Sequence, residues 1–257
     1  MGILNVTPDS FSDGGKFTSL EKAVSQALKM EKEGADFIDI GAESTRPNSE
    51  GVSEGEELAR LTPIVSELVK VLEIPISIDT TKASVAEKML KLGAEIVNDI
   101  SGFKFEPKLA DVTANFNAFA ILMHTRGKPQ VMQQNVKYEN LVGEICDYLE
   151  SSVELAERKG INKIAIDPGI GFGKSFEDNF TLIRRLSEFE KFERPILVGL
   201  SRKSFLGKDL DLAPPERLEG SLAGAVASVL NGANILRVHD VAETKKAIII
   251  ADRIKGK

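Results

Sequence analysis

Short apolar runs rich in β-branched residues recur along the chain, each followed by a longer stretch with the period of a surface helix. They read GILN at 2–5, DFIDI at 36–40, PISID at 75–79, EIVND at 95–99, AFAILM at 118–123, KIAID at 163–167, PILVGL at 195–200 and NILRV at 234–238. Runs this short and this apolar are expected of strands covered on both faces in a parallel sheet. Between them, Ser19 to Glu33, Ser53 to Leu72, Lys82 to Leu92, Tyr138 to Lys159, Phe176 to Leu186, Pro215 to Leu230 and Val241 to Ile254 predict amphipathic helices. A shorter one is expected over Pro107 to Asn115. Gly34, Gly93, Gly160 and Gly232 stand where helix C-caps belong, and three of them open a Gly-Ala step into the next strand.

Eight strand–helix units in 257 residues point to α/β architecture and a single (β/α)8 TIM-barrel domain over 1–257. A doubly wound open sheet is the competing arrangement. It would usually carry a glycine-rich phosphate turn after its first strand, where this chain has the long polar loop NVTPDSFSDGG. No low-complexity linker divides the chain.

Charge and composition narrow the partners. A net charge of −6 provides no global basic field for nucleic acid or an anionic membrane, so any anionic ligand needs a local basic cluster. No apolar run approaches the roughly 20 residues of a membrane span, and the N-terminus lacks a signal-peptide pattern. The single cysteine, Cys146, allows no intrachain disulfide and fits a reducing, cytoplasmic setting.

Barrel active sites are built at the carboxyl ends of the strands, and there the chain is rich in polar residues. The ends carry Asn5, Asp39 leading to Glu43 and Arg46, Asp79, Asn98 with Asp99, His124, Asp167, Ser201 to Ser204, and Arg237 with His239 and Asp240. Asp39, Asp99 and Asp240 are read as caps of turns or helices, and Arg202 with Lys203 as a pair that could simply be solvated. His239 follows Arg237 by two, so both face one side of an extended strand. Arg46, Arg237 and His239 are donors suited to a diphosphate, and Asn5 offers an oxygen to Mg²⁺ beside phosphate oxygens. Asp79, Asn98 and Asp167 match a heterocycle edge that presents a ring N–H beside an amine. With two histidines in the chain a His-rich metal site is excluded, and without a reactive cysteine or a Ser-His-Asp order nothing in the set favours covalent catalysis. Electrostatic stabilisation of a departing diphosphate is the mechanism these residues would support.

Several stretches resemble dihydropteroate synthases: GILNVTPDSFSDGG at 2–15, DIGAESTRP at 39–47, SIDT at 77–80 and NDISG at 98–102. MHTRGKPQVMQ at 123–133, DPGIGFGK at 167–174, GLSRKSFLG at 199–207 and RVHDV at 237–241 continue the likeness in order. The resemblance implies Mg²⁺-assisted departure of diphosphate from a dihydropterin diphosphate, then attack of p-aminobenzoate on the pterin methylene to give dihydropteroate. By motif, Asp79, Asn98, Asp167 and Lys203 would hold the pterin, and Asn5, Arg46, Arg237 and His239 the diphosphate and metal. Asp79, Lys203, Arg237 and His239 would be the catalytic set. Phe172, Lys203 and Ser204 would shape the p-aminobenzoate site, the helix start after Ser204 favouring the carboxylate. Thr45, Arg46 and Pro47 in one loop, and Pro8, Phe11, Ser12 and Asp13 in another, would close over it. A homodimer and sulfonamide binding are implied likewise. Members commonly have residues ahead of the MGILN segment; here at most four precede Asn5, which puts the barrel floor in question. Corrinoid-dependent methyltransferases are the nearest rival, sharing the pterin set but not the STRP, SRKSFLG and RVHD motifs. A silent, pterin-binding paralogue is the rival of another class.

Overall fold

Most strands bury both faces, one against helices and one inside a ring, which accounts for the continuous apolar runs. The computed structural model describes residues 1–6, 16–44, 49 and 51–256, with backbone alone at 16–19. The first half runs β1 (Gly2–Asn5), α1 (Lys16–Lys32), β2 (Ile38–Gly41), α2 (Glu54–Val71), β3 (Ile76–Asp79), α3 (Ala83–Leu92), β4 (Ile96–Asp99) and α4 (Lys108–Asn115). The second runs β5 (Phe119–Met123), α5 (Leu141–Arg158), β6 (Ile164–Asp167), α6 (Phe176–Arg184), β7 (Leu197–Val198), α7 (Leu218–Leu230), β8 (Ile235–Leu236) and α8 (Val241–Lys255). Strands β1 to β6 pair in chain order, all parallel, and β7 pairs with β8.

Two bridges close the ring. Ile166 pairs with Ile196, and Gly2 with Val238, both parallel. The backbone bonds Ile166 N to Pro195 O (2.9 Å), Ile3 N to Val238 O (2.9 Å) and Val238 N to Met1 O (3.0 Å) carry them. Sequential order plus closure is a (β/α)8 barrel, not the open sheet.

The seventh and eighth strands are shorter than the runs at 195–200 and 234–238 suggest. Pro195 has no N–H to give, and Ile196 donates to the Asn234 side chain (2.9 Å). Downstream, Leu200 O is taken by Lys203 N in a turn. The 3₁₀ segment Leu186–Phe192, which follows α6, was not evident from periodicity.

Outward strand residues such as Leu4, Ile38, Ile40, Ile78, Val97 and Leu122 pack on helix residues including Leu61, Leu68, Ile145 and Leu149. Inside the ring, Met1, Ile96, Ile121, Ala165 and Leu197 form a separate plug with Phe37, Phe119 and Ile235, so the floor is filled. Gly93 shows the expected cap: at φ +116° its N–H reaches Leu90 O and Met89 O.

Candidate functional site

Strand alternation builds the site. Inward positions lie two residues apart, and they change from apolar at the floor to polar at the top. Ile96 is followed by Asn98, Ala165 by Asp167, Ile235 by Arg237, and Phe37 by Asp39. The parallel register sets Asp79 beside Gly41 and Asn98 beside Asp79.

At the centre lies an ion cluster. Arg237 donates from Nε to Asp39 (2.6 Å) and from Nη2 to Asp79 (2.8 Å). Asp39, wholly buried, also accepts from Ser77 Oγ (2.6 Å) and from Asn98 Nδ2 (3.3 and 3.2 Å to its two oxygens). Asp39 is therefore no cap: it is the anchor on which Arg237, Ser77 and Asn98 converge. Burial raises the Asp79 carboxyl to about 7, with Arg237 opposing and Asp39, Glu57 and Asp99 adding to the rise. Burial also works against the Arg237 charge, but Asp39 and Asp79 outweigh it and hold its pKa above the ordinary value.

The sixth and seventh strand ends form the opposite wall. Burial raises the Asp167 pKa, opposed by Lys203 and by the Gly169 N–H at 2.7 Å. Burial lowers Lys203 to about 8, with Asp167 opposing. Its amine donates to Ile170 O and lies 4.5 Å from the Phe172 ring centre. Lys203 is thus engaged with the 167–174 turn rather than solvated with Arg202. Arg202 instead grips Asp240 through Nε (3.0 Å) and Nη2, and Asp240 makes no side-chain cap to α8. Asp99 does hold its turn, accepting from Ser101 N (2.8 Å) and Phe103 N (2.6 Å).

Asn5 and Ser204 are exposed at the ends of β1 and the β7 segment. His239 Nδ1 meets Ser201 Oγ at 3.0 Å, and His239 N donates to the same oxygen (3.2 Å). The helix after Ser204 is a single 3₁₀ turn, Ser204–Leu206, so its dipole is weaker than a full helix would supply. Phe11, Thr45, Arg46 and Pro47, with Pro8, Ser12 and Asp13, lie outside the described residues.

Beside Asp79 a cavity of about 300 Å³ opens, walled by Thr80, Ile100, Phe105, Lys82, Glu43 and Glu57. Its volume is at the lower end of small-molecule sites. Lys82 donates to Glu43 and to Glu57 (2.6 Å); burial opposes its charge, but these two bonds outweigh it and raise its pKa. Glu57 is fully buried, and its Oε1 has no hydrogen-bond partner among the described residues. Sequence reasoning passed over it, although its place four residues before Leu61 sets an acid on the buried stripe of α2. The Asp39 anchor and a buried Lys174–His124 pair were missed too. Among the described residues no group of three or more His, Cys, Asp or Glu is poised for a metal.

A closed barrel with carboxylates, an amide and fixed cations gathered at its open end defines a small-molecule site for a polar heterocycle and an anion. The comparisons agree with that class. The sequence matches the pterin binding enzyme family over residues 1–239. It is 50% identical to the dihydropteroate synthase of Synechocystis sp., covering 99% of this chain and 89% of that protein. A crystal structure of a Clostridium difficile dihydropteroate synthase in the presence of pteroic acid superposes with a TM-score of 0.94 at 45% identity, over 100% of this chain and 96% of that one. That of Xanthomonas albilineans with 4-aminobenzoic acid gives 0.93 at 39% identity, over 100% and 93%. The chain belongs to the dihydropteroate synthase family of pterin-binding enzymes.

Proposed function

We propose that the protein condenses 6-hydroxymethyl-7,8-dihydropterin diphosphate with p-aminobenzoate, releasing diphosphate and 7,8-dihydropteroate, as its family does. The observation that carries the residue assignment is the seat of Arg237 between Asp39 and Asp79. It joins the carboxylate suited to the pterin and the cation suited to the diphosphate in one rigid cluster. In the reaction the methylene C–O bond breaks and its electron pair leaves with the diphosphate oxygen. The pterin ring stabilises the methylene cation, the arylamine nitrogen attacks it, and a proton is lost from that nitrogen.

Asp79 accepts two parallel hydrogen bonds from a pterin ring N–H and its exocyclic amine, Asp167 and Asn98 contact the rest of that edge, and Lys203 closes the wall. Arg237 spends two of its five N–H groups on carboxylates; the rest, with His239 and Arg46, serve the leaving group. Phe172, Lys203 and Ser204 frame the aminobenzoate, with Thr45, Pro47 and Phe11 closing over it. For Mg²⁺, the exposed amide of Asn5 and the lack of a dense carboxylate cluster among the described residues fit an ion held mainly by phosphate oxygens and water. When bound, the ion would neutralise charge developing on the departing diphosphate.

A cytoplasmic setting fits the single, buried, unpaired Cys146, and no described helix is long and apolar enough to cross a membrane. A homodimer belongs to the same reading: Ile249, Ile250 and Ile254 leave α8 with exposed apolar surface. The deciding experiment is turnover with both substrates and Mg²⁺, following dihydropteroate and diphosphate together. Product that needs all three establishes the reading. Tight pterin-diphosphate binding without product points to a silent paralogue instead.

A further inference from the structure

The turn between β6 and α6 is held in an unusual way. Four successive carbonyls each accept from a side chain: Ile170 O from Lys203, Gly171 O from Gln133 (3.0 Å), Phe172 O from Lys174 (2.9 Å) and Gly173 O from Tyr138 (2.7 Å). Three of the donors are on the rim. Lys174 is not: it is 3% exposed, and its amine has the His124 ring nitrogen Nδ1 at 2.7 Å. His124 is itself 4% exposed. The two segments also touch through glycine. A Cβ on Gly169 would come 1.9 Å from His124 O, and one on Gly173 would come 2.4 Å from Arg126 Cβ. The loop after β5 and the loop after β6 therefore form one packed body, with the Lys174 amine at its centre.

A buried amine is costly, and an apolar side chain of equal length would fill the same space at less expense. Neither neighbour that its amine bonds carries a negative charge: one is a neutral imidazole, the other a carbonyl. Burial drives the Lys174 pKa far down, with Asp167 opposing and Lys203 adding to the drop. His124 is pushed down to about 2, first by burial and then by Lys174, so it stays neutral and offers Nδ1 as an acceptor. An amine kept under such conditions is retained for the direction of its hydrogen bonds. Those bonds end on the backbone of Phe172, the residue whose ring lies against the Lys203 amine.

We propose that Lys174, braced by His124, is a positioning residue for the aminobenzoate half of the site, fixing Phe172 and through it the face presented to the acceptor. The inference rests on the proposed function for its substrate but not for its geometry. Lys174→Met keeps the volume and removes the donor. The expected result is a rise of about tenfold in KM for p-aminobenzoate, the worth of one buried hydrogen bond, with KM for the pterin diphosphate within about twofold. His124→Leu should do the same and His124→Asn, which keeps an acceptor, should recover much of the loss. In a double-mutant cycle, Lys174→Met on top of Phe172→Ala should add little. Unchanged KM values, equal rises for both substrates, or independent effects in the cycle would overturn the proposal.

A readout free of turnover guards against a variant that does not fold. With two histidines in the chain, nitrogen NMR of the wild-type protein resolves His124 directly. An unprotonated, hydrogen-bonded Nδ1 that does not titrate between about pH 5 and 8, the range of an ordinary histidine, supports the clamp. A His124 that titrates there overturns it, whether or not the protein forms dihydropteroate. Absence of product from the wild type with an intact clamp would sink the function and the aminobenzoate role together while leaving the clamp standing.

Discussion

Arg237 Nε stands 2.6 Å from an Asp39 carboxylate that is completely buried, so a pair between the second and eighth strands braces the barrel mouth across the first. The arrangement separates support from contact. Asp39 stands in register with Ser77 and fixes the guanidinium, while Asp79, two residues further along β3 towards the open end, bonds the same group. Removing one partner of such a pair leaves an uncompensated charge, which costs more than the pair itself contributes. Asp39→Leu is therefore expected to lower unfolding free energy by about 3 kcal/mol, the low end for a broken buried pair because Arg237 keeps Asp79. Urea denaturation measures it. A loss under about 1 kcal/mol, the size of a surface pair, would show that Asp39 is not the anchor.

Asp79 and Lys203 set the expected pH dependence. In the proposed reaction Asp79 must be ionised to accept both pterin donors, and its pKa is raised to about 7; Lys203 must be protonated to carry charge, and its pKa is lowered to about 8. Rate should thus rise through the first value and fall through the second, a narrow bell whose limbs belong to the coupled pair. In kcat/KM for the pterin diphosphate, Asp79→Asn should remove the rising limb and about 100-fold of the rate, in the range for one positioned charged partner. Lys203→Gln should remove the falling limb. A flat profile from pH 6 to 9 in the parent protein contradicts the assignment.

Much of this was legible in the chain. Eight apolar runs, glycine caps and polar strand ends specify a barrel with its chemistry at one rim, because alternation and strand direction are local properties. Asp39 was misread for a definite reason. An acid at a strand end ordinarily caps the next turn, and only the closed ring brings Arg237, 198 residues away in sequence, against it. His124 and Lys174 are 50 residues apart and meet only after β5 and β6 pair. The buried Glu57, by contrast, could have been found: an acid on a helix's buried stripe is a signal by itself.

His124 also bears on acid stability. Its pKa is depressed to about 2 in the folded protein and stands near 6.5 in the unfolded chain. The unfolded state therefore binds the extra proton as pH falls below about 6.5, and the folded state does not. Stability from this group is fully present above that value and declines by about 1.4 kcal/mol per pH unit below it. Asp79 and Asp99, raised by burial to about 7 and about 6, take up protons in the folded state over the same range and oppose this slope. Urea melts at pH 7, 6 and 5 should therefore show the His124 contribution as a growing loss in the parent protein relative to His124→Asn, which cannot titrate. Equal slopes for the two proteins would mean that other groups govern acid unfolding.

Arg237, His239 and Ser204 sit in different parts of the rim, and that separation predicts a division of labour. Arg237 is half-buried in the ion cluster, His239 is tied to Ser201, and Ser204 is exposed at the start of a single 3₁₀ turn. Arg237→Ala and His239→Ala should each raise KM for the pterin diphosphate, about tenfold or more, because in the proposed assignment each deletes a donor to the leaving group. Ser204→Ala should leave that constant nearly unchanged and raise KM for p-aminobenzoate by about three- to tenfold, the worth of one solvent-accessible hydrogen bond. The weaker dipole of the short turn matters here, since the hydroxyl then carries a larger share of the carboxylate contact than a full helix would leave it. Steady-state kinetics with each substrate varied in turn decide the matter. Should all three substitutions shift both constants together, the rim works as one unit and the assignment of separate subsites is wrong.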